Sequence, residues 1–258
     1  MTDMRHLDLA GLRPVVAEQP YPMVFATVSG AHLYGFPSRD SDVDLRGVYV
    51  LPAEEVVGLR RGPETLDVTA DRDGMTLDLV SHDLAKFARL LLRRNGYVLE
   101  QVLSPLVVAT GPAHAELVAL APACVTRHHA AHYLGFARGQ WDLFESTGEL
   151  KPLLYTARVL LTGLYLMRTG LVQAHLPTLA AELPAQAPAW IGPALQLKAE
   201  AEHGPVGTEL PPPAELANDV RRLVVDLENA RDTSTLPDAP TAEPALHALL
   251  VRLRLGHA

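Results

Sequence analysis

With 258 residues, 48% of them hydrophobic, the chain has enough apolar side chains to build a sizeable core, in one large domain or two small ones. The 30 Asp and Glu against 22 Lys and Arg leave a net charge of −8, which argues against a broad nucleic-acid-binding surface. No run approaches the length of a membrane-spanning helix, Met1 to His6 carry no apolar signal region, and the lone Cys124 excludes an internal disulfide. The expected compartment is therefore a reducing cytoplasm, with Cys124 a small buried hydrophobe.

In chain order, Met23 to Val28 reads as an apolar strand, followed by a glycine-bracketed turn, Gly30-Ala31-His32-Leu33-Tyr34-Gly35. Val43 to Leu51 is a second strand, opened by Ser41-Asp42-Val43-Asp44-Leu45, and Thr76 to Val80 a third. A helix follows, with Ser81 as its expected N-cap, Leu84, Phe87, Ala88 and Leu91 on one side, and Asn95-Gly96 at its end. Tyr97 to Leu103 is a short helix before Pro105, and Leu106 to Ala109 an edge strand. Beyond that the pattern is helical: His114–Leu120, Arg127 to about Phe144 with a turn at Gly148, and an apolar Pro152–Arg168 closed by Gly170. Trp190–His203, Ala214–Arg231 and Pro244–Leu255 complete the series. Gly204–Pro213 and Thr233–Thr241 are Pro-rich connections, and no internal repeat is apparent.

The two aspartates carry the chemistry. Residues i and i+2 of a strand point to one face, so Asp42 and Asp44 project together while Val43 and Leu45 turn into a core. Two carboxylates on one face repel unless a cation sits between them, and a divalent ion with oxygen preference, Mg²⁺ or Mn²⁺, is the natural candidate. Asp78 lies on a strand whose opposite face carries Leu77 and Leu79. If that strand pairs beside the first, three carboxylates converge, with Asp78 placed to ligate a second metal or to accept a proton from an attacking hydroxyl. A turn that cradles phosphates beside carboxylate-held metal describes phosphoryl or nucleotidyl transfer.

From Met23 to Leu51, with Asp78 downstream, the chain resembles the DNA polymerase β-like nucleotidyltransferase superfamily, whose signature is a Gly-Ser turn, Asp-x-Asp and a separate third acid. Tyr34-Gly35 followed by Asp40-Ser41-Asp42-Val43-Asp44-Leu45-Arg46-Gly47 resembles a branch of predicted bacterial nucleotidyltransferases. Further similarities lie at Asn95, Leu99-Glu100, Lys151, Tyr155 and Arg158. The signature covers about the first third of the chain, the weaker similarities reaching about Gly170. The chain departs from the pattern at Ala31, where the family usually has a phosphate-holding serine; Ser29 lies on the other side of Gly30.

The resemblance implies an α/β (α+β) fold: a small mixed nucleotidyltransferase sheet with flanking helices, then a helical lobe. That divides the chain into a catalytic domain over 1–110 and a helical acceptor or closing domain over 111–258. It implies a nucleoside triphosphate co-substrate, two metals at Asp42, Asp44 and Asp78, and phosphate contacts from Ser29, Gly30, Ala31 and Ser41. Lys151, Tyr155 and Arg158, spaced i, i+4 and i+7, form one helical face that would bring cations to the triphosphate. The acceptor is an RNA end, a protein or a small molecule, and oligomeric state is not legible.

Other readings stand beside this one. A non-catalytic nucleotide- or protein-binding scaffold is favoured by Ala31 and opposed by three mutually repelling acids. A metal-dependent hydrolase would use His128, His129 and His132, where 128 and 132 have metal-compatible helical spacing and no third ligand is identifiable. Arg60, Arg61, Arg89, Arg93 and Arg94 would form either a basic rim near the active face or ordinary solvated charges, and Glu100 would pair with Arg93 or Arg94 or brace the lobe.

Overall fold

The computed structural model describes residues 7–38, 41–72, 74–200 and 209–256. Met1 to His6, Asp40, the end of the Trp190–His203 helix and the first half of the Gly204–Pro213 connection lie outside these residues.

The first part of the chain runs α1 (Arg13–Ala17), β1 (Met23–Val28), α2 (Gly30–Tyr34), β2 (Val43–Tyr49), α3 (Glu54–Val57), β3 (Thr65–Arg72), β4 (Met75–Asp83), α4 (Leu84–Leu92), α5 (Gly96–Val102) and β5 (Val107–Ala109). Its strands form one mixed sheet in the order β3-β4-β2-β1-β5, antiparallel except for the central β2–β4 pair, which is parallel. The fold class is the expected mixed α/β arrangement.

Alternation decides which face each strand residue takes. One face carries Ala26, Val28, Val43, Leu45, Leu77 and Leu79 against Leu12, Val15 and Val16 from α1. On the other, Phe25 and Val48 pack with Leu84, Phe87 and Leu91 of α4 and with Leu99 and Val102 of α5. Along β2 the residues between the apolar ones, Asp44 and Arg46, turn away from the α1 side and stay partly accessible.

Several elements differ from the sequence expectation. β4 continues through Ser81 to Asp83, and Asp83, not Ser81, caps α4 by accepting from Ala85 N at 3.0 Å. The second Asp83 oxygen accepts from Leu51 N at 3.0 Å, tying the cap to the end of β2. Asn95 caps α5 instead of closing the preceding helix. The Gly30 turn is the first turn of α2, and β3, α1 and α3 have no counterpart in the sequence reading.

The remainder is helical: α6 (Pro112–Cys124), α7 (His129–Thr147), α8 (Leu150–Thr169), α9 (Leu176–Glu182), α10 (Ile191–Glu200), α11 (Pro213–Thr233) and α12 (Glu243–Arg254). Gly148 and Gly170 close α7 and α8 in the left-handed conformation, as their positions suggested. α8 is the hub, buried on nearly every side and packed against α7, α9, α10 and α11. A Cβ at Gly163 would stand 2.9 Å from Leu227 and 3.0 Å from Tyr133, so that residue lets α7 and α11 approach it closely. The apolar cluster that begins at Phe25 continues through Leu99 into Leu153, Ala157 and Leu161 without a break. Cys124 is 1% exposed. Among the described residues, no helix is long and apolar enough to cross a membrane.

Candidate active site

The parallel register of β2 and β4 pairs Asp44 directly with Asp78. Parallel neighbours in register point their side chains the same way, so both carboxylates stand together on the sheet face away from α1. Asp42, just before β2, joins them at the mouth of a pocket of about 340 Å³. The pocket walls come from Ala31 of α2, Ser41, Thr69 of β3, Thr76 of β4, and Lys151 and Tyr155 of α8. Seven residues singled out in the sequence thus meet in one cavity, drawn from both parts of the chain.

Gly30 shapes the site from behind. Its φ is +60°, and a Cβ there would fall 1.8 Å from Asp44 Oδ2, so only glycine leaves the carboxylate its place. Ser29 N donates to Asp44 O at 2.8 Å, fastening the start of α2 to β2. The Ser29 side chain is buried and off the pocket wall, and its Oγ has no hydrogen-bond partner among the described residues. Ser41 Oγ accepts from Ser38 N at 2.9 Å and stands 2.9 Å from Ser38 Oγ, which holds the approach to Asp42 in place.

Arg46 is the residue the sequence reading passed over. It follows Asp44 by two positions on β2 and therefore shares its face. Its Nη2 donates to Asp44 Oδ1 at 2.7 Å and to Asp78 Oδ2 at 3.2 Å, bridging the two acids. Nη1 donates to the carbonyls of Leu45 and Asp78 at 2.7 and 2.8 Å, and Nε to Tyr97 Oη at 2.9 Å. Burial lifts Asp44 above the usual carboxylate range and Asp78 adds repulsion, against the opposing pull of Arg46 and Lys151. Thr69, Thr76 and Tyr97 were also unforeseen at the site. The signal for Arg46 was present: the alternation that aligns 42 with 44 extends to 46.

Arg158 corrects the expectation of one cationic face on α8. It is buried, with Nη1 3.1 Å from both carboxylate oxygens of Glu100 and its guanidinium 3.7 Å from the Tyr34 ring centre. It does not line the pocket. The pairing of Glu100 with Arg93 or Arg94 is corrected by the same contact. The basic rim is displaced as well: Arg61 and Arg89 border a different cavity of about 380 Å³, beside Glu55, Glu64, Asp83 and Arg254, and Arg89 pairs with Glu64.

The oxygen donors of the pocket, the carboxylates of Asp42, Asp44 and Asp78 with the hydroxyls of Ser41, Thr69 and Thr76, suit Mg²⁺ or Mn²⁺ in type. Among the described residues, however, no group of three or more His, Cys, Asp or Glu side chains is arranged to hold a metal ion, and Arg46 stands between Asp44 and Asp78. The histidine set is not assembled as a metal centre either. His128 meets Asp238 at 3.3 Å, His129 is fully buried with Nδ1 accepting from Thr126 N, and His132 rests against the Tyr133 ring.

Comparison with known proteins gives four findings. The model of the RNA repair pathway DNA polymerase beta family matches residues 4–252. An uncharacterised protein of Methanocaldococcus jannaschii, MJ0002, is 31% identical over 149 residues, 57% of this chain and 61% of that protein. The uncharacterised YcgL of Bacillus subtilis is 35% identical over 92 residues, 35% of this chain and 34% of its own. The matches thus span less than two thirds of either relative. A crystal structure of a nucleotidyltransferase-like protein from Exiguobacterium sibiricum 255-15 aligns with 86% of this chain and 73% of its own, at 13% identity and a TM-score of 0.33.

Proposed function

As the chain belongs to the RNA repair pathway DNA polymerase beta family, we propose that it is a metal-dependent nucleotidyltransferase. It moves a nucleoside monophosphate from a nucleoside triphosphate to an acceptor hydroxyl and releases pyrophosphate. The observation that carries this reading is the in-register β2–β4 pair, which gives Asp44 and Asp78 one pocket with Asp42.

In this reading Asp42, Asp44 and Asp78 are the residues that hold Mg²⁺ or Mn²⁺. Held there, such an ion would supply Lewis-acid compensation of phosphate charge. Asp78 takes the proton of the acceptor hydroxyl as its oxygen bonds to the α-phosphorus and the bond to the pyrophosphate oxygen breaks. Lys151 is near enough to weaken proton binding at Asp44, and it brings a positive charge to the phosphates. Tyr155 is braced edge-on by Tyr34 and Phe36 and offers a rigid aromatic wall for the base. Ala31 stands at the start of α2 on the pocket wall, and Ser41 on its rim. Most of the protein's contribution is positioning and charge compensation.

The family's description favours an RNA end as the acceptor class. With a net charge of −8, recognition of such an end would be local to the pocket and not spread over a basic surface. A nucleotide-binding scaffold is the second reading, favoured by Ala31 where the resemblance calls for serine.

The test uses α-phosphate-labelled nucleotides, one base at a time, with Mg²⁺ or Mn²⁺, and total RNA, cell protein or a small-molecule fraction as acceptor. Wild type should transfer label, and an Asp42→Ala/Asp44→Ala variant should transfer none while keeping its fold by circular dichroism. Equal transfer by both proteins removes the site. Metal-dependent nucleotide binding with no transfer to any acceptor selects the scaffold.

A further inference from the structure

Arg46 is held more completely than a charge-neutralising side chain requires. Two of its hydrogen bonds go to the Asp44 and Asp78 carboxylates, and three go to neutral oxygens: the Leu45 and Asp78 carbonyls and the Tyr97 hydroxyl. The arginine side chain is 12% exposed, while Asp44 and Asp78 are 30% and 34% exposed. Water and ions therefore reach the acids from the pocket side, and the guanidinium reaches them from within the sheet face. Asp42 has no bond to Arg46 and is exposed at the pocket.

We propose that Arg46 is a resident counter-cation that competes with divalent metal for Asp44 and Asp78. The proposal rests on the nucleotidyltransferase reading for its choice of metal. In the metal-free protein the guanidinium compensates two carboxylates that would otherwise repel across 4.7–4.9 Å strand spacing, about one residue width. A divalent ion cannot share the committed Asp44 oxygen with a guanidinium at full strength, since both are cations seeking one lone-pair region. Metal entry therefore begins at Asp42, and an ion that goes on to take Asp44 Oδ1 or Asp78 Oδ2 displaces the carboxylate bonds of Arg46. The three bonds to neutral oxygens do not depend on the carboxylates. They keep the arginine moored beside the site, where its released charge faces an anionic phosphate. Arg46 is thus a positioning residue that sets how tightly the empty pocket takes metal before nucleotide arrives.

The experiment is a Mn²⁺ titration of metal-free protein, followed by electron paramagnetic resonance, with thermal melting of the same samples. Wild type, Arg46→Met, Arg46→Lys and Asp44→Asn are compared. Arg46→Met should bind Mn²⁺ about tenfold more tightly than wild type, the scale of a lost charge-assisted pair. Without metal it should melt lower, and Mn²⁺ should raise its melting temperature by more than it raises that of wild type. Arg46→Lys keeps the charge but loses the planar fork, and should fall between the two; it carries the test if the Met variant does not fold. If wild type binds Mn²⁺ and both Arg46 variants bind it no more tightly, the competition is overturned and the metal site stands. If Mn²⁺ binds neither wild type nor the Arg46 variants, or binds Asp44→Asn as well as wild type, the metal-site reading itself fails and the proposal falls with it.

Discussion

The Arg158–Glu100 pair and the Arg46–Asp44–Asp78 cluster use the same ions in opposite surroundings. Arg158 and Glu100 are 3% and 1% exposed, sealed between α8 and α5 with the Tyr34 ring beneath the guanidinium. The acids around Arg46 are about a third exposed and open onto a cavity. A sealed pair cannot exchange its partner for an ion from solution, so its work is to fasten the helical hub to α5. An open pair can exchange, and that is the property a substrate- or metal-binding site needs. Sequence spacing placed Arg158 in the site and omitted Arg46; solvent access reverses the two.

The sharpest way to break this comparison is at the sealed pair. Glu100→Ala leaves a guanidinium buried without its counter-charge, and should cost about 3–5 kcal/mol in urea unfolding, little changed by salt. A loss under about 1 kcal/mol, the range of surface pairs, would show that Arg158 finds water and that the contrast is not one of burial.

A second buried group tests burial without a compensating charge. His129 is fully buried, and desolvation holds its pKa down to about 4. The unfolded chain binds its proton near pH 6.5, so above that pH neither state is charged and His129 adds no slope. As pH falls from 6.5 toward 4, the unfolded state takes up the proton first and stability declines, by about 3 kcal/mol for this group. His129→Asn should flatten the acid limb of the stability–pH curve by about that amount. An unchanged limb would mean that the imidazole is protonated in place.

How much of this was legible follows from which forces are local. The α/β order, the strands bearing Asp44 and Asp78, and the glycine stops of α7 and α8 come from periodicity and backbone chemistry within a few residues. β3 was missed although Leu66, Val68 and Ala70 alternate with Thr65, Asp67, Thr69 and Asp71; the stripe is short and ends in the small Ala70, and at the sheet edge it stays unburied. Ser81 looked like a cap because a hydroxyl before an apolar run is the usual signal, yet β4 needed two more residues to pair with Val48 and Tyr49. The Glu100–Arg158 pair joins residues 58 apart, a distance no spacing rule spans. On α8, Lys151 and Tyr155 do reach the pocket, but seven residues bring Arg158 two turns deeper, into a helix surrounded on nearly all sides. Arg46 was the avoidable omission, since the two-residue rule used for the aspartates applies equally to it.

At the pocket itself, Gly30→Ala moves the site without touching its charges. The added Cβ conflicts with Asp44 Oδ2 and with the positive φ. Under the nucleotidyl-transfer reading, displacing that carboxylate should lower turnover about a hundredfold, or about 2.7 kcal/mol at the barrier, with the circular dichroism spectrum retained. Undiminished turnover would mean that Asp44 tolerates displacement and that its setting, unlike that of the sealed pair, is loose.

The smallest expected effect separates the two arginines most directly. Arg46→Met in metal-free protein should cost only about 1 kcal/mol at low ionic strength, because water compensates acids that are already partly exposed. That cost should shrink further in 1 M salt, where screening acts over about 3 Å and mobile cations replace the guanidinium between the carboxylates. The same salt series should leave the Glu100→Ala penalty nearly constant, since ions do not enter the space between α5 and α8. Urea unfolding of both variants at low and high salt reads the difference as one crossing comparison. Equal salt dependence would place both arginines in the same class of site, and exchangeability would then have to come from the backbone around β2 and not from exposure of its acids.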